Sequence, residues 1–386
     1  MNGTAKKKVK IFVSALAFRL AVYLMSVCIM SIMGDYPNGI SFSDFLEAWK
    51  RWDSAHYINI AENGYSGAIE NGEHIFLVFY PLYPWMMRTL SLFLKDFRLC
   101  GILISTVCYG IGCLFFYCVT DEEFGEKAAE DALVLISVFP FGFFFGSIAT
   151  ESLFFAVAAA FFYYLRKHNW LKVSFYGFLA CLTKVQGLLL AFAVLVELFY
   201  SCEGIRLLRT KKWKDFLRKI IFPGIICTSM LLGFCVYLLI NWWVEGDPFR
   251  FMYYQGNHWN NSLCPLWETI KYVKDYAVNS WHTSVGMSMW VPELVLFFGY
   301  SGMIAWGIVR KLRPAYLTYL IVFFILTYSS TWLMSAGRYT LSALPVFMLA
   351  GDGISRHRRW RTAVIIISAM LMSIYMTAYY SWKQVM

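Results

Sequence analysis

The sequence predicts an all-α fold: a polytopic helical membrane protein with about eleven transmembrane helices and interfacial helices in its first external loop. Three observations predict it. Of 386 residues, 59% are hydrophobic and 15% charged, with a mean hydropathy of +0.54, whereas soluble domains carry roughly 25% charge. The apolar residues stand in long runs, not in the strict alternation of a β-barrel. The net charge of +10 gathers where those runs end, at Lys6-Lys7-Lys8, Lys211-Lys212, Arg310-Lys311 and Arg358-Arg359. That is the positive-inside pattern of a membrane protein, not a nucleic-acid surface. A soluble globular chain and a disordered one are both excluded.

The first apolar run, 11–33, follows basic residues. It is too long for a signal-peptide core and lacks a small-x-small cleavage site, so it reads as an uncleaved span. Arg19 lies nearly two turns inside it; it either has a functional or structural partner or snorkels to the surface. Further spans are expected at 101–119, 131–147, 151–166, 172–184, 186–200, 219–243, 290–309, 314–334, 338–352 and 361–381. The short ones must tilt, thin the bilayer or sit inside the bundle. Most of the ten cysteines fall within such runs (Cys28, Cys108, Cys113, Cys181, Cys227, Cys235), with neither zinc nor disulfide spacing, and are expected as small buried hydrophobes. No soluble domain is appended and no internal repeat is legible, so residues 1–386 read as one integral-membrane domain.

Charge sets the topology. Lys6–Lys10 place the N-terminus in the cytoplasm, and basic loops at 166–172, 206–219, 310–313 and 356–361 join it there. The first external loop, about 34–100, is acidic over its first half (Asp35, Asp44, Glu47, Asp53, Glu62, Glu70, Glu73). The set is consistent only if Pro81–Lys95 lies in the interface without crossing. It also places the acidic 121–131 loop inside. The external face then receives 34–100, the turns 147–151, 183–187 and 335–338, and a second large loop at 244–289. Polar residues that interrupt apolar sequence gather on this face, and any chemistry is expected there.

The first external loop reads Arg51-Trp52-Asp53-Ser54-Ala55-His56-Tyr57 and onward to Gly64-Tyr65. A helix over 44–61 would put Asp53 and His56 on one face. Trp52, Tyr57 and Ile60 would bed it on the membrane, and Asn63-Gly64 would stop it. Asp53 beside an imidazole and a guanidinium suits a general base; pairing with Arg51 or Lys50 is the alternative. Lys184 at a span boundary either binds an anion or snorkels. Glu151 opens a span, where it either complements the helix dipole or holds hydroxyls or an arginine. Arg338 sits between apolar spans and demands a partner. His56 is a candidate second base or phosphate donor. The 244–289 loop is aromatic (Trp259, Trp267, Tyr272, Tyr276, Trp281) with Asn257, His258, Asn260 and Asn261. Such faces suit sugars or lipid headgroups, or form an aromatic belt. Asn260-Asn261-Ser262 is a formal glycosylation sequon.

The run from Trp52-Asp53 through His56-Tyr57 to Gly64-Tyr65, followed by Phe79-Tyr80-Pro81-Leu82-Tyr83-Pro84, resembles the PIG-V family. Pro140 leading to Thr150-Glu151-Ser152-Leu153-Phe154, Thr183-Lys184-Val185-Gln186-Gly187 with Lys where the family has Arg, and Gly337-Arg338-Tyr339 with Pro345 are similar in order. The resemblance spans about 19–350. It implies a GT-C glycosyltransferase: a multi-span helical fold with an external active site that takes a sugar from a polyprenyl-phosphate donor and inverts the anomeric carbon. It implies mannose as the sugar, a lipid or glycan as acceptor and Asp53 as catalytic base. Arg51, His56, Lys184 and Arg338 would meet the departing phosphate, and Glu151 the substrate. It also implies the plasma membrane in a bacterial source, or the endoplasmic reticulum membrane in a eukaryotic one. No Asp-x-Asp nucleotide-sugar motif is present, so no metal is indicated. A transporter or flippase, the alternative class, would call for ionisable residues near the bilayer midplane.

Overall fold

The computed structural model describes residues 3–34, 36, 39–211, 213–381, 383 and 385; Asp35 and Lys212, named above, lie outside the described residues. Helix α1 (Gly3–Met33) carries the basic N-terminal cluster at one end, here the basic end, and leads to the opposite end, called external below after the side that the charge pattern predicts for it. There α2 (Phe42–Ala48) starts on a capping box between Ser41 and Asp44, followed by α3 (Ser54–Gly67) and α4 (Leu82–Leu94). Asp96 caps α5 (Phe97–Phe124) by accepting from the Arg98 and Leu99 amides, and Gly125 at φ +88 turns the chain into α6 (Glu126–Val138). Then come α7 (Glu151–Arg166), α8 (Trp170–Cys181) and α9 (Gln186–Ser201). At the basic end α10 (Gly204–Arg209) leads into α11 (Trp213–Thr228) and α12 (Leu232–Glu245), a pair continuous through one 3-10 turn. On the external side lie α13 (Arg250–Asn257) and α14 (Leu266–Ser280). The chain finishes with α15 (Val291–Val309), α16 (Pro314–Thr327), the short α17 (Ala336–Thr340), α18 (Leu344–Arg356) and α19 (Arg358–Tyr380).

Among the described residues, five stretches are long and apolar enough to cross a membrane: Ala5–Met33, Phe97–Phe124, Trp213–Glu245, Gly286–Val309 and Arg358–Tyr380. The passes between them are shorter. At 1.5 Å per residue the 12 residues of α8 span about 18 Å, against a hydrocarbon core of roughly 30 Å. Most of them bury one face and leave the other exposed, as at Leu171, Phe175 and Leu195. Residues 151–162 of α7 are buried all round, and α7 packs along α5, as expected of a helix apolar on every face. The outer helices turn apolar side chains outward, among them Leu20, Leu24, Ile225, Phe298 and Ile367. Cys28 and Cys235 share that outer surface, whereas Cys108, Cys113, Cys181 and Cys227 are buried. The expectation of burial thus fails for the first two, because apolar sequence serves lipid-facing positions as well as the core.

The acidic 121–131 loop is the ionic complement of the basic end. Glu126 accepts from Lys7 at 2.8 Å, Asp131 from Arg361 at 2.6 Å, and Glu122 and Glu123 pair with Lys167 and Arg166. Asp352 binds Arg310 and Arg356, and Glu197 binds His168 and Arg313. Both ends of α4 lie at the external level. The Leu82 amide donates to Leu182 O at 3.0 Å, and Arg98, just past its other end, pairs with Glu47 at 3.0 Å. With both ends held at one level, α4 does not traverse the bundle.

The structure differs from several local expectations. The helix over 44–61 is broken at 49–53, and the chain passes Gly64 with a kink at φ +70 before α3 ends at Gly67. Tyr57 and Ile60 are 5% and 3% exposed and belong to the protein core, not the membrane surface. The expected spans 131–147 and 314–334 stop at Val138 and Thr327. The expected span 338–352 is two helices, α17 and α18. Each interruption lies on the external side.

Candidate active site

The interruptions build the site. After α6, Pro140 lacks the amide that a helix needs, and a 3-10 turn at Gly142–Gly146 leads to Thr150 and α7. Non-helical backbone inside a membrane bundle needs partners from neighbouring side chains, and here it has them. Arg19 donates to Gly142 O at 3.3 Å and to Phe143 O at 3.4 Å, its guanidinium lying 4.3 Å from the Tyr109 ring. Tyr23 donates to Gly146 O, Ser105 to Ser147 O and Ser152 to Phe145 O. Arg19 is fully buried; of its two readings the structural partner is the one observed. This scaffold delivers Glu151 to the first turn of α7.

Lys184 stands in the turn between α8 and α9. A Cβ on Gly187 would lie 2.4 Å from the carbonyl of Ala180, so only glycine lets α9 start this close to α8. Arg338 is on α17. Asp53 takes the N-cap position of α3 but has helical backbone (φ −56, ψ −19) and makes no capping bond. Its carboxylate is directed elsewhere. Trp52 before it stands at φ +51, a region that bulky residues rarely adopt.

These four residues, far apart in sequence, form one chain of charge-assisted hydrogen bonds. Arg338 Nη2 donates to Asp53 Oδ2 at 2.6 Å, and Arg338 Nε to Glu151 Oε1 at 2.7 Å. Lys184 Nζ donates to the same Glu151 oxygen at 2.7 Å. Two acids and two bases balance, as a buried cluster requires. Side-chain exposure separates their roles: 0% for Glu151, 9% for Lys184, 7% for Arg338, but 24% for Asp53. The Asp53 carboxylate is the accessible member, backed by a buried cationic pair. Phe144 and Tyr339 lie under the Arg338 and Lys184 cations at 5.7 and 5.8 Å.

His56, one turn along α3 from Asp53, sits among rings instead of in the charged chain. Phe76, Phe79 and Trp259 surround it at 5.0, 5.3 and 5.5 Å. Burial holds its pKa below the ordinary value, an effect that the nearby Asp53 charge opposes. Arg51 faces the Tyr379 and Tyr380 side of the site, with Glu47 within electrostatic range. Of the second loop's aromatics, Trp259 reaches the site. Tyr272 and Tyr276 pack with Trp290 and Trp332, while Trp267 and Trp281 are exposed. Asn260, in the sequon, is exposed and turns at φ +50. Among the described residues, no group of three or more His, Cys, Asp or Glu gathers to hold a metal ion.

One residue at this end was not anticipated. Glu293 is 1% exposed, and its Oε1 accepts from the Ala336 amide at 2.8 Å. The available signal was an acid immediately after Pro292 at the head of an apolar run.

No family model matches the sequence, and no curated protein matches it. The fold does have counterparts among solved structures. ArnT from Cupriavidus metallidurans bound to undecaprenyl phosphate aligns with a TM-score of 0.53 at 13% identity, over 96% of this chain and 75% of that one. The apo state of the same protein gives 0.52 at 13% identity, over 98% and 76%. The Archaeoglobus fulgidus oligosaccharyltransferase in complex with zinc and sulfate gives 0.50 at 14% identity, over 96% of this chain; the chain spans about half (53%) of that protein. At such identities the likeness is one of fold. The chain is an integral, multi-pass membrane protein whose helical architecture is similar to that of GT-C membrane enzymes.

Proposed function

We propose that the protein is an integral-membrane glycosyltransferase. It moves a hexose from a polyprenyl-phosphate sugar donor to a lipid or glycan acceptor at its external end, with Asp53 as general base. One observation carries the reading: Asp53, Glu151, Lys184 and Arg338 converge from four distant segments, and Asp53 alone of the four keeps substantial exposure. The undecaprenyl phosphate bound to ArnT supports a polyprenyl-phosphate donor. The PIG-V-like motifs around Asp53, Glu151, Lys184 and Arg338 favour mannose as the sugar.

In this mechanism Asp53 takes the proton of an acceptor hydroxyl. The hydroxyl oxygen attacks the anomeric carbon, and the bond from that carbon to the phosphate oxygen breaks. The electron pair leaves on the phosphate, so one displacement inverts the centre. Positive charge from Arg338 and Lys184 opposes the charge that develops on the leaving group. Glu151 holds both cations in place, and the ring cluster of His56 and Trp259 next to the base suits contact with a sugar or headgroup.

The test is transfer by the purified chain in nanodiscs, given radiolabelled polyprenyl-phosphate mannose and a membrane lipid and glycan extract. The native protein labels an acceptor, and Asp53→Asn lowers the rate by about 10²–10⁴-fold, the usual contribution of a general base. Normal transfer by the variant refutes the base assignment. Absence of transfer from any polyprenyl-phosphate sugar by the native protein refutes the transferase.

A further inference from the structure

Among the described residues the buried acids show one exception. Asp131, Glu151, Glu197 and Asp352 are each at most 4% exposed, and each faces an arginine. Glu293 is as deeply buried, at 1%, but its one recorded side-chain partner is the Ala336 amide, and its Oε2 has none. A buried carboxyl without a cation is expensive to keep. What it holds explains why it is there. Ala336 is the first residue of α17 and Arg338 the third. That five-residue helix has no side-chain cap of its own, because Ser335 makes no capping bond. Glu293 therefore supplies, from α15, the acceptor that the start of α17 lacks. Its backbone oxygen is tied in turn by Tyr328 at 3.1 Å, on the chain just past α16.

We propose that Glu293 is a positioning residue for Arg338. By anchoring the first amide of α17 it sets where the guanidinium meets Asp53 and Glu151. The proposal rests on the reading of the charged chain as the transfer site. Glu293 touches none of the reacting groups and acts through Arg338.

The test compares native protein with Glu293→Ala, Glu293→Gln, Arg338→Ala and Arg338→Ala/Glu293→Ala, full-length in nanodiscs. It measures kcat and donor KM for sugar transfer, with melting temperature alongside. Glu293→Ala is expected to lower kcat/KM by up to about tenfold, the worth of one hydrogen bond. Glu293→Gln, whose amide oxygen still accepts from Ala336, is expected to stay within about threefold of native. The double variant is expected to be no slower than Arg338→Ala, because a residue acting through Arg338 has nothing left to position. Should Glu293→Ala fail to fold, the Gln variant decides: loss of transfer in a well-folded Glu293→Gln overturns the proposal. So does a further loss in the double variant. An unchanged rate in Arg338→Ala instead overturns the site reading on which the proposal rests.

Discussion

Glu151→Gln tests whether the four charges behave as one balanced unit. Glu151 Oε1 accepts from Lys184 Nζ and from Arg338 Nε, both at 2.7 Å, and its side chain is wholly buried. Glutamine keeps an oxygen in nearly the same place but deletes one negative charge. The cluster of two acids and two bases then passes from zero to +1. At an effective dielectric constant of about 20, each contact near 4 Å is worth about 4 kcal/mol of attraction. Breaking a buried pair by removing one partner costs about 3–5 kcal/mol. Lys184→Met removes a positive charge and leaves the complementary excess, so it too destabilises. The double variant Glu151→Gln/Lys184→Met restores neutrality, with Asp53 and Arg338 still paired. It is expected to recover about 2–3 kcal/mol relative to the sum of the single losses. Thermal unfolding in nanodiscs, followed by intrinsic tryptophan fluorescence, reads the coupling: the double variant melts above the point that the sum of the two single losses sets. Strict additivity of the two single losses would refute the idea of a charge-balanced cluster.

Two further outcomes follow from local physics. Burial lowers the His56 pKa below its ordinary value of 6.5, so the folded protein favours the neutral ring. The stability from this group is present above pH 6.5 and is lost as pH falls from there through the folded value. His56→Phe, which fits the ring cluster of Phe76, Phe79 and Trp259, is expected to flatten melting temperature against pH below 6.5; an unchanged slope counts against it. Gly187→Ala places a Cβ 2.4 Å from Ala180 backbone and must push α8 and α9 apart. A stability loss of about 1–3 kcal/mol is expected, with weakened transfer because Lys184 lies in the turn between them; a fully native melting curve would contradict the close approach.

Much of the site was legible because its residues break the pattern around them. Asp53, Glu151, Lys184 and Arg338 each interrupt apolar or interfacial sequence, and such interruptions are costly unless paired or used. Pairing itself was not legible. The near neighbours Arg51 and Lys50 are the partners the sequence offers Asp53, yet its partner is Arg338 on a segment 285 residues away. His56 and Arg51 look equivalent to the other candidates in sequence. Only the packing of Phe76, Phe79 and Trp259 around His56 sets that ring apart from the charged chain.

By itself the sequence determined the helical membrane class, the approximate passes and the two-ended distribution of charge. Those properties depend on transfer of side chains from water to an apolar phase, which is a sum over local composition. The tertiary structure alone decided where helices stop short and what repairs the breaks. It decided that Arg19 serves the 142–143 carbonyls. It decided that the acidic 121–131 loop answers the basic ends of other helices, and that Glu293 holds the start of α17. Hydrogen bonds and ion pairs are short-ranged and directional, so which groups meet depends on how distant helices pack, and a linear pattern of residue types carries no record of that.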